Sequence, residues 1–237
     1  MRIRVTLCQK PLGVPLTRNE ISIMREFSPH FVCFPEYFFT NIKIGNFNQT
    51  PHNQRFQLKR IKTLSEKLNT CVIGGTMPEI SEDRIHNTSF IFDRGQYLGY
   101  YRKKNLFFAE KGKITPGENY RTFTSMGVKF GVLICADVFH DEAFDFMKSE
   151  GVRIIFSPTF SIFKDETPED KFKRDREIYV SGAMKSDSVI VKVCGVRSDF
   201  KPFLQARSLI ASPEGIITRV TPEEEHTSKL MMREIEI

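Results

Sequence analysis

Val128-Lys129-Phe130-Gly131-Val132-Leu133-Ile134-Cys135 is an apolar run of strand character, and the segments after it decide the fold class. A helix is predicted from about His140 to Glu150, closed by Gly151. Val152-Arg153-Ile154-Ile155-Phe156-Ser157 then reads as a second buried strand, stopped by Pro158. A strand, a helix and a strand with short connections predict two parallel neighbours in one sheet. Outward from this unit the alternation continues. On the N-terminal side, Arg2–Cys8 places Ile3, Val5 and Leu7 on one face of a strand, and Thr17 with Glu20 forms a capping box for a helix to about Phe27. Phe31–Phe34 is a compact apolar strand ending at Pro35-Glu36. Thr50-Pro51 predicts a helix start, followed by Phe56, Leu58, Ile61, Leu64 and Leu68 at near-helical spacing. Cys71–Gly74 is another short strand, and Thr88–Phe92 with Gln96–Tyr101 flanks Asp93-Arg94-Gly95 as a hairpin. On the C-terminal side come a helix near Glu169–Lys185, strands near Val189–Val196 and Arg207–Ala211, and the turn Ser212-Pro213-Glu214-Gly215. The fold class is α/β.

No repeat, low-complexity tract or long linker divides the 237 residues, so a single domain over 1–237 is expected. With 40% hydrophobic and 27% charged residues, the chain has enough apolar material for a sizeable core and is neither disordered nor fibrous. No stretch of about 18 apolar residues is present, and the opening MRIRVTLCQK lacks the apolar region of a signal peptide. Five cysteines without metal-ligand spacing fit a reducing, cytoplasmic setting, and nothing asks for a metal or an organic cofactor. The net charge of +6 admits a polyanionic partner. The basic residues are scattered, however, apart from Lys171-Phe172-Lys173-Arg174 and Arg102–Lys104, and no nucleic-acid-binding motif accompanies them. A small molecule is therefore the expected partner, rather than nucleic acid or membrane.

Three places carry candidate chemistry. Cys135 ends an apolar strand just before a helix, where α/β folds gather reactive groups and where the next backbone N–H groups face a bound carbonyl. A thiol with an ordinary pKa of about 8.5 needs an activating base to attack. Glu36 ends a buried strand among Phe34, Tyr37, Phe38 and Phe39, where desolvation raises a carboxyl toward a useful base. Arg102-Lys103-Lys104 follows the hairpin and offers fixed positive charge for a developing oxyanion. Each has an ordinary alternative: an inert buried cysteine, a glutamate turned to solvent, a solubilising basic loop. Cys8, Cys33, Cys71 and Cys194 lie in apolar runs and read as structural. The histidines supply no Cys–His pair with fixed geometry, and Walker and GxGxxG loops are absent.

Taken together, Phe34-Pro35-Glu36-Tyr37-Phe38, Tyr101-Arg102-Lys103-Lys104-Asn105-Leu106-Phe107, Pro116-Gly117-Glu118 and Gly131-Val132-Leu133-Ile134-Cys135-Ala136-Asp137 resemble the nitrilase superfamily of carbon–nitrogen hydrolases. Asn87, Arg207-Ser208-Leu209-Ile210 and Ser212–Gly215 match further landmarks, so the resemblance runs from about residue 3 to the end. It implies a four-layer α-β-β-α sandwich, usually assembled as a homodimer or larger homo-oligomer. It also implies a nucleophile at Cys135, a general base at Glu36, an oxyanion-stabilising Lys103 and a supporting Glu110. The Ala136 backbone N–H would share the oxyanion. Tyr37, Phe39, Phe160 and Ser161 are the expected substrate contacts, although phenylalanines at such places also simply fill a core. Cys-Ala-Asp fits the amide-hydrolysing branches better than true nitrilases, so a small amide or N-carbamoyl compound is the expected substrate. The sequence departs from the family at Ala136, at Val138-Phe139-His140-Asp141-Glu142, at Asn105 and at Gly182-Ala183-Met184-Lys185-Ser186. Those departures keep open a catalytically inactive scaffold that binds a ligand or a protein.

Overall fold

In the computed structural model, which describes residues 1–40, 54–196 and 204–237, the period-two patterning becomes two stacked sheets. The first half of the chain supplies β1 (Arg2–Gln9), α1 (Arg18–Phe27), β2 (Phe31–Cys33), α2 (Gln54–Leu68), β3 (Cys71–Ile73), β4 (Met77–Ser81), β5 (Arg84–Asp93) and β6 (Gln96–Arg102). The second half supplies β7 (Thr122–Ser125), β8 (Val128–Val132), α3 (Asp141–Ser149), β9 (Ile154–Thr159), α4 (Pro168–Asp175), α5 (Ser181–Ser186), β10 (Val189–Cys194), β11 (Leu209–Ser212), β12 (Gly215–Arg219) and β13 (Lys229–Glu236). One sheet runs β13-β1-β2-β3-β5-β4 with β6 beside β5, and the other runs β12-β11-β10-β9-β8-β7. β8, β9 and β10 are parallel, as the strand–helix–strand unit predicts.

The apolar faces explain the layering. Leu7, Phe31, Cys33, Ile73 and Ile91 point from the first sheet toward Phe130, Val132 and Phe156 of the second. The Phe31 ring lies 5.3 Å from both the Phe130 and the Phe156 ring. Their sequence neighbours Cys8, Val32, Val72, Phe90 and Phe92 point the other way, onto Met24 of α1 and Ile61, Leu64 and Leu68 of α2. Phe144 and Met147 of α3 and Ala183 of α5 join the core on the far side of the second sheet. The result is the expected four-layer α-β-β-α sandwich. The capping box of α1 is made in both directions, Glu20 N donating to Thr17 Oγ1 at 3.2 Å and Thr17 N to Glu20 Oε2 at 2.8 Å.

Three expectations change. Pro158 does not stop its strand but lies inside β9. Phe156 O accepts the Leu133 N–H at 3.0 Å, so even-numbered residues of β9 face β8, and β8 has already ended at Val132. The missing Pro158 N–H therefore removes no ladder bond. Cys135 is not the last residue of a strand either: it opens a 3-10 turn, Cys135–Phe139. The helix expected near Glu169–Lys185 is continuous from α4 to α5 but passes through a π-helical segment, Arg176–Val180. The helix start read at Thr50-Pro51 lies outside the described residues. Among the described residues, no helix is long and apolar enough to cross a membrane.

Candidate active site

Glu36 is placed by a tight crossing of backbones. Gly75 has φ +57, and a Cβ there would stand 2.1 Å from Pro35 O, so only glycine lets the loop after β3 pass the loop after β2. Tyr37, at φ +60, donates its N–H to Thr76 Oγ1 at 2.9 Å. Lys103 follows β6 directly and is held through its backbone by Asn87 O at 2.9 Å and Gly117 N at 2.8 Å. These two loops bring together groups that are distant in sequence. Lys103 Nζ donates to Glu36 Oε1 at 2.9 Å and to Glu110 Oε2 at 2.7 Å. Asn87 Nδ2 reaches Glu36 Oε1, Glu110 Oε1 and Tyr37 Oη at 2.8, 2.9 and 3.0 Å. Tyr37 Oη donates to Glu110 Oε1 at 2.7 Å. Glu36 and Lys103 are each only 1% exposed.

Two carboxylates share one ammonium here, and their surroundings drive them apart. Burial raises the Glu36 pKa above the usual carboxylate range, and the Lys103 charge offsets this only in part. Burial acts the same way on Glu110, but Lys103 and the hydrogen bonds from Lys103, Tyr37 and Asn87 outweigh it and hold that carboxyl low. Burial opposes the charge on Lys103, yet the attraction of the Glu36 and Glu110 carboxylates and the hydrogen bond to Glu110 outweigh it, so its pKa rises. Lys103 stays an ammonium.

Cys135 sits at φ +46, a strained conformation for a non-glycine residue. Asp137 holds the turn there. Its buried carboxylate accepts the Ile134 and Asn105 N–H groups and the Tyr101 hydroxyl, each at 2.8 Å. Burial pushes its pKa up to about 6. Asp137→Asn replaces one acceptor oxygen with a donor and strands a buried N–H or hydroxyl, at a cost of about 1–3 kcal/mol. Expected are a lower melting temperature and a lower kcat for Asp137→Asn, read by thermal melting and steady-state kinetics. The Cys135 thiol lies 3.9 Å from Phe160 O, while Phe160 N donates to Glu36 Oε2 at 2.8 Å. One residue therefore ties the thiol to the buried carboxylate. Burial, and next the Glu36 charge, raise the Cys135 pKa, with Lys103 opposing. At rest the thiol holds its proton, and a nearby base must take it.

These groups line a cavity of about 230 Å³ together with Tyr37, Phe160 and Ser161. Of the five cysteines, four are buried and only Cys135 is partly exposed. Phe39, expected at the substrate, does not line this cavity. The turn after Glu36 sends its ring into the α1/α2 side of the core, 5.2 Å from Phe34 and 4.9 Å from Phe38, with the Arg60 guanidinium 5.4 Å away. The departures leave the site intact. Ala136 is buried in the turn, Asn105 supplies its backbone N–H to Asp137, and Lys185 bonds Asp141 at 2.9 Å on the helix surface. Sequence reading assigned no role to Asn87 or Asp137. The available signal was a polar side chain within or beside a buried apolar run.

The profile of the carbon–nitrogen hydrolase family matches residues 19–236. The chain belongs to the carbon–nitrogen hydrolase family. This hydrolase is 25% identical to an omega-amidase of Saccharomyces cerevisiae over 214 residues, covering 82% of this chain and 71% of that protein. It is 26% identical to a human omega-amidase over 170 residues, covering 64% of this chain and 61% of the other. The crystal structure of Saccharomyces cerevisiae Nit3, a nitrilase-superfamily member, superposes with a TM-score of 0.79 at 22% identity, over 98% of this chain and 89% of that one. An amidase from Nesterenkonia superposes with a TM-score of 0.79 at 16% identity, over 98% and 90%. A variant of that amidase carries the acetamide moiety of fluoroacetamide covalently at its active-site cysteine. The superfamily and sandwich fold read from the sequence thus hold, and this hydrolase is of the class acting on non-peptide C–N bonds.

Proposed function

We propose that this hydrolase cleaves a small amide or N-carbamoyl compound through a thioester on Cys135. The observation that carries the reading is one cavity lined by a protonated thiol, a carboxyl of raised pKa and a fixed ammonium. Glu36 takes the thiol proton, and the sulfur attacks the amide carbon. The oxyanion forms between Lys103 Nζ and the Ala136 N–H. Two of the three ammonium N–H bonds are engaged by Glu36 and Glu110, which leaves one for it. Glu36 returns the proton to the leaving nitrogen as the C–N bond breaks, and ammonia or an amine departs. It then accepts a proton from water, which attacks the thioester carbon and releases the acid and the free thiol. Glu110, joined to Lys103, Tyr37 and Asn87, acts as a positioning residue.

A cavity of about 230 Å³ lies below the ~300–1,000 Å³ of most ligand pockets, so the substrate is small. The omega-amidase relatives and the cysteine adduct of the Nesterenkonia amidase support the same chemistry. Release of ammonia from short aliphatic amides or N-carbamoyl amino acids is the expected result. A panel that yields no ammonia, from a folded protein whose Cys135 alkylates slowly, contradicts the reading and favours a binding scaffold.

A further inference from the structure

A second cavity, of about 390 Å³, lies between α1 and α2 and shares no lining residue with the catalytic one. Its volume falls within the ~300–1,000 Å³ of most ligand pockets. The two cavities stand back to back across residues 34–39. Glu36 and Tyr37 face the catalytic cavity, while Phe34, Phe38 and Phe39 line the second one. The Phe34 ring lies 4.6 Å from that of Phe38 and 5.2 Å from that of Phe39, so the three form one aromatic floor. Leu16, Ile21 and Leu64 extend this apolar interior.

The rim has a different character, and α2 supplies it. Phe56, Arg60, Leu64 and Lys67 follow one another at steps of four, four and three residues, which sets them on one face of the helix. Lys59 joins them, so three cations line the cavity and no acidic side chain does. The single acid of α2, Glu66, lies instead against Gly95 at the β5–β6 turn. Among the described residues, Lys59, Arg60 and Lys67 have no carboxylate partner. Arg60 donates Nη1 to the neutral Gln57 Oε1 at 2.8 Å, and its guanidinium lies 5.4 Å and 5.9 Å from the Phe39 and Phe56 rings. Burial holds its pKa below the ordinary guanidinium value, yet an arginine stays charged. A planar cation without a counterion, set at the edge of an aromatic floor, matches an anion whose remaining part is apolar.

We propose that the α1/α2 cavity is a second ligand site, which takes a carboxylate bearing an unbranched apolar tail of medium length. The tail rests on Phe34, Phe38, Phe39 and Leu64, and the carboxylate meets Arg60 with Lys59 and Lys67 close by. The planar fork of Arg60 suits the two carboxylate oxygens, and each methylene taken out of water adds to the affinity. The site is independent of the hydrolase reading, because none of its residues lines the catalytic cavity. An anionic bilayer would meet the same cations, but its tails stay within the membrane. A floor sunk beneath the rim favours a single free tail.

The probe is monomeric decanoate, titrated into the full chain by calorimetry. Expected is a Kd of about 500 µM or tighter. Butyrate, which lacks the tail, and decyltrimethylammonium, which reverses the charge, should each bind at least about tenfold more weakly. Arg60→Met keeps an apolar stem but removes the fork, and should weaken decanoate by at least about tenfold. Thr63→Trp, at a half-buried lining position, fills the cavity and should abolish binding. Should either variant fail to fold, Lys59→Met combined with Lys67→Met, both at exposed positions, should still weaken decanoate by at least about threefold. A weaker wild-type Kd, or equal affinity for decyltrimethylammonium, overturns the proposal. Decanoate binding unchanged in Arg60→Met and Thr63→Trp also overturns it, since the ligand then sits elsewhere. So does sedimentation with phosphatidylglycerol vesicles by a protein that binds no decanoate, which makes this face a membrane contact.

Discussion

Cys135→Ala is expected to lose amide hydrolysis by at least about 10⁴-fold while keeping its fold, because removing a covalent nucleophile leaves only binding and oxyanion stabilisation. The fold should survive because the thiol supports little. Its hydrogen bond to Phe160 O is a weak one at 3.9 Å, and the turn is held by Asp137 through Ile134, Asn105 and Tyr101. A melting temperature within about 4 °C of the wild type is expected for a loss near 1 kcal/mol in a chain of this size. Cys135→Ser should be almost as inactive, since a carboxylate deprotonates a hydroxyl far less readily than a thiol. Ammonia release and a thermal melt on the same preparations check both statements. Retained turnover in Cys135→Ala contradicts the thioester route.

Lys103→Met carries the second large effect, in activity and stability together. Loss of one oxyanion donor costs about 3 kcal/mol of barrier, a fall in kcat on the order of 10²–10³. The stability effect comes from what remains. Glu36 and Glu110, 1% and 6% exposed and both hydrogen-bonded to Asn87, would face each other without a cation. Breaking a buried ion pair on one side costs roughly 3–5 kcal/mol. At about 2–4 °C per kcal/mol, the melting temperature should drop by roughly 6–20 °C.

The pH dependence of that drop has a definite sign. In the wild type Glu110 is held below its ordinary pKa, so its contribution is present above the unfolded value and lost as pH falls through the folded one. Without Lys103 the loss of the ammonium, with the mutual repulsion of the carboxylates, raises both groups. Their protonated forms then favour folding. That support is complete below the unfolded carboxyl pKa of about 4.3 and disappears as pH rises through the raised folded values. The deficit of Lys103→Met against the wild type should therefore be small near about pH 4 and full near about pH 8. Denaturant melts at the two pH values check it, and a deficit independent of pH contradicts the shared-ammonium account.

The α/β class was legible because its signal is local, whereas the four-layer sandwich followed only from the resemblance of the motifs to a known family. Period-two runs such as Ile3-Val5-Leu7 and the reciprocal Thr17–Glu20 cap depend on near neighbours alone. What escaped was set by distant partners. β13 is a sheet-edge strand in which only Met231 and Ile235 are buried, and it reads as a strand only beside β1. Pro158 looks like a breaker until β8 is seen to leave the sheet first. Tyr37 and Phe39 are equivalent in the sequence, and the turn at φ +60 sends one to the cavity and the other to the helix layer. Glu36, Lys103 and Cys135 were found through motif order, but their bridge through Phe160, 124 residues from Glu36, is a product of the fold. Asn87 and Asp137 share this character. Each is a polar group in or beside an apolar run, whose meaning depends on which other loop reaches it.

The central claim is a covalent acyl group on Cys135. Its most direct test is intact-protein mass spectrometry after rapid acid quench of a turnover mixture, with peptide mapping of the adduct. The mechanism predicts a mass increase equal to the acyl part of the substrate, located on the peptide containing Cys135 and absent from Cys135→Ala. Turnover with no acylated species, or an adduct on another residue, contradicts it.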